Sequence, residues 1–193
     1  MNWEECYKSG NTPWDKAAPA PELASSLAEG LLQGNVLVPG CGLGHDVRAI
    51  ANAGAMEVLG IDLAPSAVHE AKAHGTPKNT SFLQGDFFKL PERFKGHFDW
   101  IWEHTCFCAI PPADRPKYVQ AARDALRPRG TLLALFFLNP DMEDPEQGPP
   151  FGVSPGDLDR YFSGTFELER QWLPRATYPG REGRELVRLL RRI

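Results

Sequence analysis

The sequence predicts an α/β fold with a parallel, doubly wound sheet, and two patterns carry this prediction. Short apolar runs rich in β-branched and aromatic residues alternate with segments whose apolar residues recur at helical spacing. The first such run, residues 36–38, also stops at a glycine-rich turn that opens a helical segment. Strands that alternate with helices in this way are typical of a doubly wound parallel sheet.

The first half of the chain reads as a βαβ unit preceded by a helix. Residues 21–32 carry apolar side chains at helical spacing, and 36–38 form a short buried strand. Helical spacing returns over 46–53, and a second β-branched run follows at 58–61. The unit therefore predicts two neighbouring parallel strands joined by a crossover helix.

The second half continues the alternation and ends in a closing pair of strands. Further helices are predicted over 66–74, 116–126 and 158–162. Further strands are predicted over 82–84, 98–102, 132–138, 166–172 and 185–190. Residues 127–130 are predicted as a turn, and the Pro-rich stretch 141–155 as a long loop of the kind that forms lids or binding loops. The locally basic stretch 181–192 reads as the solvated face of the last strand.

Length and charge favour one compact domain that acts on a small molecule. The 193 residues, 42% of them hydrophobic, suit a single core, so we expect one domain over 1–193. The formal net charge of -4 gives no reason to expect nucleic acid or an anionic membrane as partner. Glu4 and Glu5 stand near the N-terminus without an apolar run, which predicts neither a secretory signal nor a membrane span.

The cysteines and histidines form no metal-binding pattern. The cysteines form no C-x-x-C pair, and no cluster of histidines stands at zinc spacing, so we expect no metal. The cysteines at 6, 41, 106 and 108 are expected to remain reduced, which predicts a cytoplasmic protein.

The turn after the first strand predicts a loop that lies against a nucleotide-like ligand. Gly40 and Gly42 can adopt positive φ and have no Cβ, so the backbone can approach a ligand closely. The dinucleotide fingerprint G-x-G-x-x-G requires a glycine or alanine where this chain has His45. The spacing here is G-x-G-x-G instead.

Acidic residues follow the next two predicted strands. Asp62 stands about twenty residues after the glycine loop, the offset at which a carboxylate reaches a ribose diol. The third strand also closes on an acid, Asp86, followed by Phe87. The alternative for each acid is a helix N-cap, and Asp46 alone reads as helix-start chemistry.

The first fifteen residues contain Trp3, Tyr7 and Trp14, although no helix or strand is predicted there. Aromatic side chains bury large apolar areas, which makes them unusual in a free terminus. We therefore expect residues 1–19 to fold over the open cleft.

Together these motifs resemble the thiopurine S-methyltransferase superfamily, and most closely its thiol and halide methyltransferase branch. The shared segments are Trp3-Glu4-Glu5, Thr12-Pro13-Trp14-Asp15, and residues 36–46, 85–87, 106–110 and 148–153. The resemblance spans nearly the whole chain. It implies a Rossmann-like class I methyltransferase fold, whose mainly parallel seven-stranded sheet has an antiparallel closing strand, and S-adenosylmethionine as the cofactor.

The resemblance also implies a set of cofactor contacts. Trp3 and Trp14 would close over the cofactor, Asp62 would hold the ribose, and Asp86 with Phe87 would hold the adenine. The remaining residues implied at the cofactor are Tyr7, Gly40, Gly42, Glu103 and His104. Tyr7 stands where the branch usually has tryptophan, and Glu103-His104 where it usually has Asp-Tyr.

The resemblance implies methyl transfer to a small soft nucleophile, and it favours a thiol. The chain lacks the pattern of an acid or Asn followed by Pro-Pro-aromatic that often follows the fourth strand in amine and nucleobase methyltransferases. The resemblance places Arg115 near the substrate, where a guanidinium would stabilise a thiolate. The alternative for Arg115 is a solvated helix start. Phe107, Phe151 and Tyr178 are candidate pocket walls, with core packing the alternative for Phe107.

Other functions remain open from the sequence. The acceptor could be a halide, a selenium or tellurium species, or a thiopurine instead of a simple thiol. A non-catalytic S-adenosylmethionine-binding protein is a second possibility, and an NAD-dependent reductase a third that the glycine spacing disfavours. We expect a monomer whose partner is the small-molecule acceptor.

Overall fold

The computed structural model describes residues 1–139, 141, 143–144 and 147–193. Its strands are β1 (Asn35–Pro39), β2 (Glu57–Asp62), β3 (Thr80–Gln84), β4 (Phe98–His104), β5 (Leu126–Phe137), β6 (Phe166–Trp172) and β7 (Glu185–Arg192). They form one sheet in the order β3-β2-β1-β4-β5-β7-β6. Pairing is parallel from β3 through β5, and β7 runs antiparallel to both β5 and β6. The predicted doubly wound, mainly parallel sheet with an antiparallel closing strand is confirmed.

Helices cover both faces of this sheet. The described α-helices are α1 (Trp3–Ser9), α2 (Pro21–Ala28), α3 (His45–Asn52), α4 (Pro65–Ala73), α5 (Arg115–Ala125) and α6 (Pro155–Phe162). Leu23 of α2, Ile50 of α3 and Val68 of α4 belong to one buried apolar cluster. Tyr118 of α5 and Phe162 of α6 belong to the other. Two helical layers therefore enclose the sheet.

The N-terminal segment is where the sequence prediction was wrong, because residues 3–9 form helix α1. The Asn2 side chain accepts a hydrogen bond from the Glu5 N–H at 3.3 Å, and Gly10 ends the helix with φ 71°. Glu4 and Glu5 in the first turn and Lys8 in the last complement the helix dipole. Asn2 before the helix and Gly10 after it are capping signals that lie in the sequence itself.

Two further predictions, about strands β5 and β7, are wrong. The turn predicted at 127–130 lies within β5, which begins at Leu126 directly after α5, and Arg129 adopts φ 63° there. The basic face predicted as solvated contains Arg188, which is buried because β7 lies between β5 and β6. Its guanidinium donates to the Gln171 side chain at 2.8 Å.

The long loop predicted over 141–155 is only partly described. Residues 142, 145 and 146 lie outside the described residues. The segment ends at Ser154, whose side chain and that of Asp157 form a reciprocal capping box at the start of α6.

The strand order places a crevice at one end of the sheet. β1 and β4 are neighbours, but the chain leaves β1 towards β2 and leaves β4 towards β5. Crossover segments therefore diverge on either side of this point, and ligands of doubly wound proteins bind outside the carboxyl ends of the strands there. None of the described helices has the length and apolar character that crossing a bilayer requires.

Candidate active site

A cleft of about 520 Å³ opens at the carboxyl ends of β1, β2 and β4. It is far larger than a second cavity, lined by Phe88, Leu90 and Ala121, which has a volume of about 60 Å³. Ten of the residues predicted from the sequence line the cleft: Trp3, Tyr7, Trp14, Gly40, Gly42, Asp62, Asp86, Phe87, His104 and Tyr178. The topology therefore brings together residues that are up to 175 positions apart.

The glycine loop forms a bare stretch of backbone in the cleft floor. Gly40 has φ 61°, and a Cβ there would lie 3.0 Å from the Cys106 Sγ. Gly42 has φ 50°, and a Cβ there would lie 2.9 Å from the Tyr7 hydroxyl. A larger residue at either position would be strained and would crowd its neighbours. Any ligand here therefore meets backbone atoms.

Asp62 closes this loop at the end of β2. One of its carboxylate oxygens accepts the Gly42 N–H and the other accepts the Ala64 N–H, each at 2.9 Å. Burial raises the pKa of Asp62, while these N–H donors act in the opposite direction. A carboxylate offers about four acceptor positions, so it can also accept from ligand hydroxyls.

The N-terminal aromatics cover one side of the cleft. The Trp3 and Trp14 rings meet edge-to-face with centroids 5.3 Å apart, and the Trp14 Nε1–H donates to the Tyr7 hydroxyl at 3.2 Å. Burial, followed by the charge of Asp62, raises the pKa of Tyr7 well above its usual range. No residue before Ala20 is fully buried. The segment therefore covers the cleft without being part of the core.

Helix α1 is tied to the body of the protein through α4. The Glu4 carboxylate accepts from the Ser66 N–H at 3.0 Å and from the Ser66 hydroxyl at 2.8 Å. These hydrogen bonds hold the pKa of Glu4 below its usual value. The contact sets where the aromatics of α1 lie relative to the cleft.

Asp86 and Phe87 follow β3 in a short 3₁₀ turn. The Asp86 carboxylate accepts the Phe88 N–H at 2.9 Å and so caps the turn. The Phe87 ring packs against Tyr118 with centroids 5.3 Å apart, and one side of it faces the cleft. Asp86 can act both as the predicted cap and as a ligand acceptor.

Glu103 and His104 end β4 and point in opposite directions, because successive side chains alternate across a strand. Glu103 is completely buried and lies outside the set of residues that line the cleft. Its carboxylate accepts from the Phe107 N–H at 2.7 Å and from the Tyr118 hydroxyl at 2.5 Å. Burial raises the pKa of Glu103. His104 alone of this pair faces the cleft.

Arg115, Phe107 and Phe151 also lie behind the cleft wall. Arg115 is 2% exposed and donates to the carbonyls of Gly152 at 3.0 Å and Phe151 at 3.2 Å. Its guanidinium lies over the Phe107 ring, 4.9 Å from the centroid. Phe107 itself is buried among Tyr118 and other aromatic rings. Arg115 is thus neither a solvated helix start nor a cleft-lining side chain.

Asp46 and Arg181 also line the cleft, although neither was predicted as a site residue. Asp46, interpreted as helix-start chemistry, accepts from His104 Nδ1 at 3.0 Å and from Trp102 Nε1 at 2.7 Å. Arg181 pairs with Glu185 at 3.1 Å and stands 5.5 Å above the Tyr178 ring. Sequence spacing carries no signal that these residues meet. Within the described residues, no group of three or more histidines, cysteines or acids is placed to hold a metal ion.

Comparison with known proteins identifies the family. The model of the thiopurine S-methyltransferase (TPMT) family matches residues 1–177. The chain belongs to this family. A family member from Arabidopsis thaliana named "Probable thiol methyltransferase 2" is 37% identical over 163 residues, which cover 82% of this chain and 70% of the relative. Thiocyanate methyltransferase 1 of Brassica oleracea is 36% identical over 157 residues, covering 79% and 67%.

Solved structures share the fold of this thiopurine S-methyltransferase family member. The 1,6-didemethyltoxoflavin-N1-methyltransferase of Burkholderia thailandensis, solved with S-adenosylhomocysteine, superimposes with a TM-score of 0.74 at 20% identity. That match covers 97% of this chain and 84% of the other. A Haloferax volcanii methyltransferase solved with the activator Trm112 gives a TM-score of 0.77 at 19% identity, covering 99% and 97%.

Proposed function

We propose that this protein transfers a methyl group from S-adenosylmethionine to a small thiol. The observation that carries the proposal is the cleft itself, in which the glycine loop, Asp62 and the N-terminal aromatics of a thiopurine S-methyltransferase family member converge. The similarity to relatives named for thiol and thiocyanate methylation supports a soft acceptor. Bound S-adenosylmethionine supplies a methyl group that its sulfonium centre already activates.

The residues present fit that cofactor. The bare backbone at Gly40 and Gly42 leaves room where a Cβ would clash. We assign the ribose to Asp62, the adenine to Asp86 and Phe87, and cofactor coverage to the aromatics of residues 1–19. Because Asp62, Asp86 and Phe87 are held by the fold before binding, the protein can orient the reacting atoms, and the N-terminal aromatics can exclude water from them once the cofactor is bound.

The buried side chains of Glu103 and Arg115 hold the residues that line the cleft in place. Glu103 fixes the end of β4, and with it His104, through its bonds to Phe107 and Tyr118. Arg115 holds the carbonyls of 151 and 152 beside the Pro149 and Pro150 wall of the cleft. We propose that residues 1–193 work as one domain. We also propose a reducing, cytoplasmic setting, because none of the four cysteines forms a disulfide bond in the structure.

An acceptor panel tests this function. The purified protein with S-adenosylmethionine is offered hydrosulfide, an alkyl thiol, an aryl thiol, a thiopurine, thiocyanate and iodide, beside a hydroxyquinolone and an amine. The hydroxyquinolone is included because one relative, 29% identical, is named for 2-heptyl-1-hydroxyquinolin-4(1H)-one. We expect S-methyl products to dominate. Methylation of the hydroxyquinolone or the amine, with none of any sulfur acceptor, would overturn the proposal.

Asp62→Ala is expected to weaken binding of S-adenosylhomocysteine by about 10- to 100-fold. Loss of a hydrogen bond to a charged group costs about 1.5 to 3 kcal/mol, and the Gly42 N–H loses its acceptor as well. Calorimetric titration measures the effect, with Asp62→Asn as a control that keeps one acceptor oxygen. Unchanged affinity in Asp62→Ala would mean that Asp62 only caps the turn, and binding of NAD in place of S-adenosylhomocysteine would contradict the cofactor assignment.

The N-terminal segment is expected to gain amide protection when the cofactor binds. Many of its residues are exposed, and a bound cofactor would add apolar contacts to those that Trp3 and Trp14 make with each other. Hydrogen exchange over residues 2–15, with and without S-adenosylhomocysteine, measures this change. Glu4→Gln, which weakens the tie to Ser66, should exchange faster in the free protein. Equal protection in both states would show that the segment is a fixed part of the wall.

A further inference from the structure

We propose that His104 is a catalytic residue whose Nε2 accepts the proton of the thiol, while Asp46 holds the ring in the tautomer that this requires. The inference rests on the proposed function, because it names the group that would generate the thiolate. It goes beyond cofactor contact, the role that the sequence suggested for His104. His104 contacts the Asp46 carboxylate through Nδ1, lies near the Arg181 guanidinium through Nε2, and lines the cleft.

The acid behind the ring is ionised. Asp46 accepts from three donors, the Ala20 N–H at 2.7 Å, the Trp102 Nε1–H at 2.7 Å and His104 Nδ1 at 3.0 Å. Burial by itself raises the pKa of Asp46, whereas the positive charge of a protonated His104 ring and the hydrogen bonds from His104, Trp102 and Ala20 lower it below its usual value. A carboxylate can only accept hydrogen bonds, so Nδ1 carries the proton in this pair.

Arg181, on the other side of the ring, determines which hydrogen-bonding role His104 Nε2 can take. Arg181 Nη1 lies 3.5 Å from His104 Nε2, and a guanidinium has donors but no acceptor. Nε2 therefore presents a lone pair in that direction. The contact is long, whereas the ion pair of Arg181 with Glu185 is 3.1 Å, so an acceptor thiol can take the place beside Nε2. The two partners thus favour a proton on Nδ1 and a lone pair on Nε2.

The ring reaches the cleft where an acceptor would lie. His104, Tyr178 and Arg181 all line the cleft, and the side chain of His104 is 13% exposed. Tyr178 stacks on the imidazole with centroids 6.2 Å apart, and its hydroxyl donates to the Ala18 carbonyl at 2.6 Å. Asp46 therefore holds the Nδ1 edge of the imidazole and Tyr178 holds its face, so that Nε2 is the nitrogen that can accept a proton from an acceptor thiol.

The neighbouring titratable groups agree with this role. Burial raises the pKa of Tyr178 to about 12, so its phenol is neutral. Burial also raises the pKa of Glu185, which pairs with Arg181, and that of Cys108 to about 12. Glu103 belongs to the buried pair on the opposite face of β4. Asp46 and Arg181 are the charged groups that contact the ring nitrogens, and the carboxyl groups of Glu103 and Glu185 interact with the ring from further away.

The proposed step balances in protons and electrons. The thiol S–H proton moves to Nε2, which gives an imidazolium paired with the Asp46 carboxylate and a thiolate beside the Arg181 guanidinium. With S-adenosylmethionine bound, the thiolate would form an S–C bond to the methyl group that the cofactor supplies, and S-adenosylhomocysteine would leave with the electron pair of the broken bond. The imidazolium then releases its proton to solvent.

Substitution of the ring tests the step. His104→Asn keeps an N–H donor near the Nδ1 position for Asp46 and removes the Nε2 base. The rates kcat/KM are measured with a series of thiols from low-pKa aryl to high-pKa alkyl. His97→Gln is the matched control, because His97 forms a similar histidine–acid pair with Glu57 at 3.1 Å outside the cleft.

We expect His104→Asn to lose about 100-fold or more with alkyl thiols and little with an aryl thiol that is already ionised at the assay pH. Raising the pH above the alkyl thiol pKa should restore most of the rate, and His97→Gln should resemble wild type throughout. An equal loss with all thiols, with no rescue by pH, would overturn the inference while leaving the proposed function intact. Absence of any transfer by the wild-type protein would instead refute the proposed function.

Nitrogen-15 NMR of the histidine side chains tests the tautomer without turnover. In the wild-type protein free of cofactor, His104 is expected to show a protonated Nδ1 and an unprotonated Nε2 near pH 7. His104→Gln supplies the assignment if His104→Asn fails to fold. A protonated Nε2 in the neutral ring would contradict the proposal, whatever the activity of the variants.

Discussion

Glu103→Ala is expected to lower the free energy of unfolding by about 3 kcal/mol or more. The substitution removes the acceptor of both the Tyr118 hydroxyl and the Phe107 N–H in a completely buried place. Each buried polar group left without a partner costs about 1 to 3 kcal/mol, and the lost side-chain volume adds a cavity. Denaturant unfolding of the two proteins measures the difference.

The matched control is Glu103→Gln, which keeps an acceptor oxygen for the Phe107 N–H and offers an amide to the Tyr118 hydroxyl. It should lose much less stability than the alanine variant. Affinity for S-adenosylhomocysteine in the folded alanine variant should change less than in Asp62→Ala. If stability were unchanged and cofactor affinity fell instead, Glu103 would contact the cofactor directly.

Arg115→Met is expected to lower the free energy of unfolding by a similar amount, about 3 kcal/mol. The buried guanidinium donates two hydrogen bonds to the carbonyls of 151 and 152, and bonds to charged groups contribute about 1.5 to 3 kcal/mol each. Its contact with the Phe107 ring is lost as well, although methionine replaces part of the packing. Denaturant unfolding again supplies the measurement.

Arg115→Lys separates charge from geometry. Lysine retains the positive charge but lacks the planar fork that reaches both carbonyls, so it should recover only part of the stability. If Arg115 stabilised the thiolate directly, the methionine variant would be stable and slow, most severely with thiols of high pKa. That pattern would return Arg115 to the role suggested by the family resemblance and would weaken the case for His104.

The parts of the site that were predictable lie close to strand ends in the sequence. A β-branched run followed by Gly40 and Gly42, and a second run ending at Asp62, place ligand contacts through local backbone geometry alone. Because parallel strands bring their carboxyl ends to one edge, two or three such runs suffice to predict the cleft. The closing strands were also recognisable from their own apolar patterns.

Other features depend on tertiary placement that local pattern does not encode. Glu103 and His104 were both assigned to the cofactor, although alternation along β4 allows only one of them to face the cleft. Arg115 comes to lie behind the wall because α5 packs beneath the 151–152 segment. The cluster of Asp46, His104 and Arg181 joins residues 58 and 77 positions apart. The sequence pattern therefore led to three separate interpretations: Asp46 as a helix start, His104 as a cofactor contact and Arg181 as part of the solvated face of the last strand.

The transfer of a labelled methyl group to sulfur tests the central claim most directly. The protein is incubated with S-adenosylmethionine that carries a deuterated methyl group and with an alkyl thiol, and the product is analysed by fragmentation mass spectrometry. Our account predicts a thioether that carries the intact trideuteromethyl group on sulfur, formed together with one equivalent of S-adenosylhomocysteine. No thioether above the level without protein, while S-adenosylhomocysteine binds normally to the same preparation, would contradict it.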